Sequence, residues 1–218
     1  MKNYKVQNPI LIRLYNRPGH LKRLMKVIKR VRPSKIYLVG DGPKNEKDKK
    51  LVDQARFIAS NIDWKCIVRK KYFKQNLGEP LAGYYGILWF FNLVPQGIVL
   101  EDDTIPNISF FKFCDDLLEY YKKETRVGLI TGNNFQNGKW RGNSSYYFSK
   151  YPNIWGWASW RRSFLNWKLV PKNWLKIKQL LLKNDTYCDK YEKKYLEKIF
   201  DKLCSRKKIH WDYSLLIH

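Results

Sequence analysis

The run Gly97-Ile98-Val99-Leu100-Glu101-Asp102-Asp103 constrains this chain more than any other stretch. A short apolar segment delivers three consecutive carboxylates, in a protein whose lysines and arginines outnumber its acids 43 to 19. Carboxylates at the end of a buried strand lose hydration unless a cation or a hydrogen-bonding ligand meets them. The run therefore reads as a metal and nucleotide site, and a solvated acidic turn is the plain alternative. If the backbone stays extended, Glu101 and Asp103 share one face and Asp102 points to the other, so the three carboxylates are expected to divide their roles.

The surrounding pattern alternates strand and helix. Asn8–Tyr15 is a β-branched apolar run stopped by Asn16, Arg17, Pro18 and Gly19. Leu21, Leu24, Met25, Ile28 and Val31 follow at helical spacing, with basic residues on the other face. Lys35–Val39 is a second strand ending in the turn Gly40-Asp41-Gly42-Pro43. Lys47–Ser60 then reads as an amphipathic helix and Trp64–Arg69 as a third strand. Asn76-Leu77-Gly78-Glu79-Pro80 turns into an aromatic-rich helix over Leu81–Leu93, ahead of the strand Ile98–Leu100. Asn107–Tyr121 is a helix, Val127–Thr131 a strand, and Ser144–Ser149 an expected edge strand. Pro152–Trp160 packs Trp155, Trp157 and Trp160 around Gly156, and helices are expected over Trp174–Leu182 and Tyr187–Cys204. Such alternation implies an α/β fold with a mostly parallel central sheet flanked by helices and a small helical C-terminal part. In such sheets ligands gather beyond the carboxyl ends of the strands.

Length allows one domain over residues 1–218, with 1–104 as a nucleotide-binding half and 105–218 as an acceptor half. Trp211–His218 looks like the start of a helix with no C-cap, which reads as a truncated end. A formal charge of +24 fits nucleic acid, an anionic membrane surface or phosphorylated substrates, and a solvated basic face accounts for it equally well. Cys66, Cys114, Cys188 and Cys204 lie far apart with no zinc-type spacing, so reduced thiols in a cytoplasmic protein are expected. Met-Lys-Asn-Tyr-Lys at the N-terminus lacks the apolar core of a signal peptide. The 21 uncharged residues Pro80–Leu100 are interrupted by Asn92, Pro95, Gln96 and Gly97, and read as helix, turn and strand instead of a membrane span.

The ordered motifs Y-N-R-P, G-D-G-P, N-L-G, I-V-L-E-D-D, W-G-W-A-S-W and H-W-D-Y, spread over Pro9–Leu216, carry a resemblance. Together they resemble bacterial nucleotide-sugar glycosyltransferases of the A-type fold, in the family related to the eukaryotic N-glycan N-acetylglucosaminyltransferases. The resemblance implies that Asp103 ligates a divalent Mn2+ or Mg2+ ion bridged to the donor diphosphate. It places Asp102 near the ribose or a metal-bound water, and Glu101 toward the donor sugar or bracing the strand end. Arg17 and Asp41 match nucleotide-contacting positions, the aspartate serving the base, and Asn76 matches the turn beneath the nucleotide-sugar. Trp155, Gly156 and Trp157 would shape the donor and acceptor sugar pocket. Asp212 matches the catalytic base of an inverting displacement. The partners so implied are a nucleoside diphosphate sugar, a UDP-sugar first among them, and a glycan or lipid-linked glycan acceptor at the bacterial surface. Basic charge would then hold the protein as a peripheral component on the inner face of the plasma membrane.

Two other classes compete. A nucleotidyltransferase acting on sugar phosphates shares the architecture and the acidic site, but it usually carries a glycine-rich loop after the first strand, which Y-N-R-P-G-H matches poorly. A basic nucleic-acid-binding module would use the charge and the aromatic residues; the motif order speaks against it, and no nucleic-acid partner is expected.

Overall fold

The computed structural model describes residues 4–140, 142–170, 173–183, 189–205 and 210–215. The chain divides into two compact units, Met1–Leu165 and Asn166–His218. In the first unit β1 (Ile10–Leu14), α1 (Pro18–Val31), β2 (Lys35–Gly40), α2 (Glu46–Ser60), β3 (Ile67–Tyr72), α3 (Glu79–Leu93), β4 (Gln96–Glu101), α4 (Ile108–Tyr120), β5 (Leu129–Thr131) and β6 (Trp157–Trp160) follow in order. The second unit holds α5 (Trp174–Lys183), α6 (Lys190–Cys204) and α7 (Trp211–Leu215). No described helix is long and apolar enough to cross a membrane.

The six strands form one sheet in the order β3-β2-β1-β4-β6-β5. β1 runs parallel to both β2 and β4, and β6 is antiparallel to β4 and β5, which makes the sheet mostly parallel. The winding therefore reverses at β1: the chain builds outward through β2 and β3, then returns to add β4 on the other side. Reversal points of this kind open a crevice at the carboxyl ends of the two central strands.

Alternation along β1 sorts the core. Ile10, Ile12 and Leu14 join Ile36, Leu38, Ile98 and Leu100 in one cluster with Leu21, Leu24 and Ile28 of α1 and Phe111, Cys114 and Leu118 of α4. On the opposite face α3 packs over β2: Phe90 meets Tyr37 edge-on at 5.1 Å, and a Cβ on Gly86 would lie 2.6 Å from Val39 Cγ1. Apolar burial on both faces is what makes the central strands near-continuous hydrophobic runs.

Several elements differ from the sequence expectation. β3 begins three residues after the expected Trp64 start, at Ile67. The Trp64 indole N–H is held by the Pro33 carbonyl at 3.0 Å, outside the ladder. Arg69, Lys70 and Lys71 populate this edge strand, and charge on an exposed edge discourages pairing with other chains. No strand forms over 144–149. Instead the Tyr146 and Tyr121 hydroxyls share a hydrogen bond of 2.7 Å, and Phe148 packs edge-on against Tyr121. The strand that does form lies later, at Trp157–Trp160, wedged between β4 and β5.

That strand separates the tryptophans. Trp157 is fully buried, stacked on Phe91 at 6.1 Å and beside Phe164 at 5.9 Å. It is a core anchor and not the sugar-pocket wall that the W-G-W resemblance implied, because Phe91 and Phe164 cover its ring on the face of the sheet. Trp155, two residues earlier and off the strand, is 64% exposed.

In the second unit the buried Trp167 meets Trp211 edge-on at 6.4 Å, and its indole N–H donates to Ser214 Oγ at 2.9 Å. Lys178 of α5 pairs with Glu197 and Asp201 of α6. Cys66, Cys114 and Cys204 are free thiols. Cys188, Tyr187 and the residues after Leu215 lie outside the described residues.

Urea unfolding checks the distinction between the tryptophans: Trp157→Ala should lower stability by about 3–5 kcal/mol through the cavity it leaves, whereas Trp155→Ala should change it by less than about 0.5 kcal/mol. Equal effects would contradict the assignment of Trp157 to the core.

Candidate active site

β1 and β4 end side by side, with Arg13 in register with Glu101. Arg13 is the one charge inside the apolar run Ile10–Leu14, and its side chain is only 10% exposed. Its guanidinium bonds Glu101 Oε1 at 2.6 Å and Glu79 Oε1, in the first turn of α3, at 2.9 Å. The resemblance did not single out Arg13, although a lone charge in a buried strand always calls for a partner nearby.

The extended backbone stops at Glu101. A turn closed by the Thr104 amide on the Glu101 carbonyl at 3.0 Å follows, so strict alternation no longer holds. Asp102 and Asp103 consequently converge on one group instead of facing apart. Arg17 Nη1 donates to Asp103 Oδ2, and Arg17 Nε lies 3.1 Å from Asp102 Oδ1. Asp102 is buried and takes the Tyr15 amide on Oδ2 at 3.0 Å, while its Oδ1 accepts no hydrogen bond. The Asp103 side chain is 39% exposed.

Burial pushes the Glu101 carboxyl above its ordinary range despite Arg13, and the neighbouring acids add to the effect. Burial likewise raises Asp102 against the pull of the Tyr15 amide and Arg17. Positive charge is therefore in demand at the end of β4. A hard divalent cation fits this donor set: Asp103 reaches solvent, Asp102 keeps a buried oxygen that accepts no hydrogen bond, and magnesium-type ions complete their shell with water and phosphate oxygens. Among the described residues no group of three or more His, Cys, Asp or Glu side chains forms a metal cage.

Beside this crevice a second network joins the ends of β1 and β2. Asp41 is buried, and its carboxylate accepts from the amides of Gly42 (2.8 Å), Leu77 (2.9 Å) and Gly78 (2.9 Å) and from Asn76 Nδ2 (3.0 Å). Those bonds occupy both oxygens twice over, which is the full acceptor capacity of a carboxylate. Asp41 thus ties the Asn76–Gly78 turn to β2, and the direct contact to a nucleotide base that the resemblance implied is not open to it in this arrangement. The same Asn76 Nδ2 also lies 2.7 Å from the Gly42 carbonyl and 3.1 Å from the Tyr15 hydroxyl, so its two hydrogens are shared among three acceptors. Gly42 is required by closeness, since a Cβ there would lie 2.3 Å from the Gln75 carbonyl carbon.

Asp48, at the start of α2, completes this network. It accepts from the Tyr15 hydroxyl, from Asn16 Nδ2 at 2.5 Å and from the Lys44 amide at 2.9 Å. Burial opposes its charge, but the Tyr15, Lys44 and Asn16 bonds outweigh it and hold its pKa below the ordinary 3.8. In sequence Asp48 is indistinguishable from any first-turn helix acid, so only the fold reveals it.

Gly156 backs onto the acidic turn: a Cβ there would lie 3.2 Å from Thr104 Cγ2, and its φ of +85° favours glycine as well. Trp155 is held through its backbone by the Asn133 side chain and touches Phe135 edge-on at 5.7 Å. The sheet end thus gathers Arg17, Glu101, Asp102, Asp103, Asp41, Asn76 and Gly156. Asp212 stands in the second unit, in the first turn of α7, and is partly buried. Compared with known proteins, the chain matches no family model and no curated protein.

Asp41→Ala should destabilise the protein by about 3 kcal/mol, because charge-assisted bonds of about 1.5–3 kcal/mol each are lost and only partly replaced by water; an unchanged urea midpoint would remove Asp41 from this role. Asp48 supports a pH test. With its folded pKa depressed, its contribution is complete above the ordinary 3.8 and vanishes as pH falls through the lower folded value. The stability gap between wild type and Asp48→Asn should accordingly be full near about pH 6 and narrow below about pH 4. A gap independent of pH would show that Asp48 acts without its charge.

Proposed function

We propose that the protein is a metal-dependent, inverting glycosyltransferase of the A-type fold, moving a sugar from a nucleoside diphosphate sugar to a hydroxyl of a bacterial surface-glycan acceptor. The observation that carries this reading is the position of Arg17, Asp102 and Asp103 at the carboxyl ends of β1 and β4, where the winding of the sheet reverses. A parallel sheet binds nucleotides at that point, and a lone arginine beside paired acids suits a diphosphate and its cation.

Asp103 would hold the ion, with Asp102 as the second, buried carboxylate. A bound Mn2+ or Mg2+ would supply Lewis-acid neutralisation of the departing diphosphate. Arg17 would bind phosphate oxygens, for which a guanidinium fork is well shaped. Glu101, oriented by Arg13, would face the donor sugar, and the loop that Asp41 locks onto Asn76 would form the floor beneath the nucleotide. Trp155, exposed beside Gly156, would offer an apolar face to the acceptor or donor sugar. Asp212 would take the proton from the attacking hydroxyl, a contribution of about 10²–10⁴-fold. A UDP-sugar is the proposed donor and a lipid-linked glycan the proposed acceptor, with the basic surface holding the protein against anionic lipid from the cytoplasmic side.

A thermal-shift screen of UDP, GDP, dTDP and CMP, each with and without Mn2+, tests the reading. One nucleotide should raise the melting temperature in a metal-dependent way, since a ligand binding only the folded state stabilises it by mass action, and Asp103→Ala should abolish the shift. Indifference to all four would sink the proposal. Asp212→Asn should keep the nucleotide-induced shift and lower turnover by about 10²-fold or more; full turnover would remove Asp212 from the mechanism.

A further inference from the structure

We infer that Arg17 and the divalent cation compete for the same two carboxylates, and that the donor diphosphate relieves this competition by offering the guanidinium a second anion. The inference rests on the nucleotide-sugar reading above and adds a device that orders the loading of the site.

Arg17 touches both members of the pair, through Nη1 to Asp103 Oδ2 and through Nε, 3.1 Å from Asp102 Oδ1. These are the atoms that an oxygen-seeking ion would take, the first at the solvent edge and the second buried. A guanidinium and a divalent ion cannot share them without like-charge repulsion at close range. Arg13 does not take part in the exchange: its side chain is 10% exposed and already bridges Glu79 and Glu101 on the α3 face of the sheet.

The placement of Arg17 suits a residue that changes partners. Its backbone is anchored, since its carbonyl accepts the Leu21 amide at 3.1 Å and Pro18 opens α1 directly after it. Its side chain is 46% exposed and can leave the acids without uncovering core. A guanidinium fork recognises carboxylate and phosphate with the same geometry. Metal alone must displace Arg17 and so binds weakly. Metal arriving with a nucleoside diphosphate gives Arg17 a new partner, and each ligand then strengthens the other, as reciprocal linkage requires.

The test measures Mn2+ binding by electron paramagnetic resonance of the free ion, on the full chain without nucleotide, for wild type, Arg17→Gln, Arg17→Lys and Asp103→Ala. Arg17→Gln should bind Mn2+ about tenfold more tightly than wild type. Arg17→Lys keeps a charge but cannot span both acids, and should fall between them at about threefold. Asp103→Ala should lose the site. At saturating Mn2+, Arg17→Gln should bind UDP about tenfold more weakly by calorimetry. Mn2+ affinity equal to wild type in both arginine variants, or unchanged UDP affinity in Arg17→Gln, overturns the competition while leaving the metal site standing. Failure of every form to bind Mn2+, with or without UDP, would overturn the functional reading and this inference together. Should Arg17→Gln not fold, Arg17→Lys alone decides the matter.

Discussion

Everything at the candidate site depends on β1 pairing in parallel with β2 on one side and β4 on the other. That arrangement occupies both edges of β1 while helices bury both faces of the central strands, so the chain must find uses for the charged residues that leave the sheet at its carboxyl end. It answers by closing each carboxylate on a specific donor: Glu101 on Arg13, Asp102 on the Tyr15 amide, Asp103 on Arg17, and Asp41 on the Asn76–Gly78 turn. The acids are not equivalent. Asp41 has its acceptor capacity filled by the chain, whereas Asp102 retains a buried oxygen that accepts no hydrogen bond and Asp103 faces solvent.

This inequality separates scaffold from chemistry. The Asp41, Asn76, Tyr15 and Asp48 network is a rigid floor, built from short polar contacts between loops distant in sequence. Such networks specify one arrangement because each member left unmatched is costly in a partly buried setting. Beside that network, the Arg17, Asp102 and Asp103 cluster is held by a single half-exposed side chain.

Much of the sheet was legible from the chain alone. The apolar runs around Ile10–Leu14, Lys35–Gly40 and Gln96–Glu101 announced buried parallel strands, and the spacing from Leu21 to Val31 announced the helix between the first two. β3 was harder to bound, because an edge strand carrying Arg69, Lys70 and Lys71 lacks the apolar signature. β6 was read as a tryptophan cluster, since a strand of four residues takes its identity from the neighbours it pairs with and not from its own pattern. Of the site, the acidic triplet and Arg17 stood out as residue types. Arg13, a charge inside an apolar run, passed unread, and Asp48 carried no signal at all.

The sequence by itself determined the α/β alternation and the delivery of carboxylates to the ends of strands, because hydrophobic periodicity is a local property that acts within each segment. Only the tertiary structure decided which charge meets which. Arg17 reaches Asp103 across 86 positions of the chain, and Asp41 reaches Gly78 across 37. The turn after Glu101 brought Asp102 and Asp103 together where continued extension would have parted them, and the insertion of β6 between β4 and β5 set Trp157 against Phe91 and Phe164 while leaving Trp155 outside. Electrostatic partnership and burial act through space, and the separations that govern them exist only once the sheet has closed.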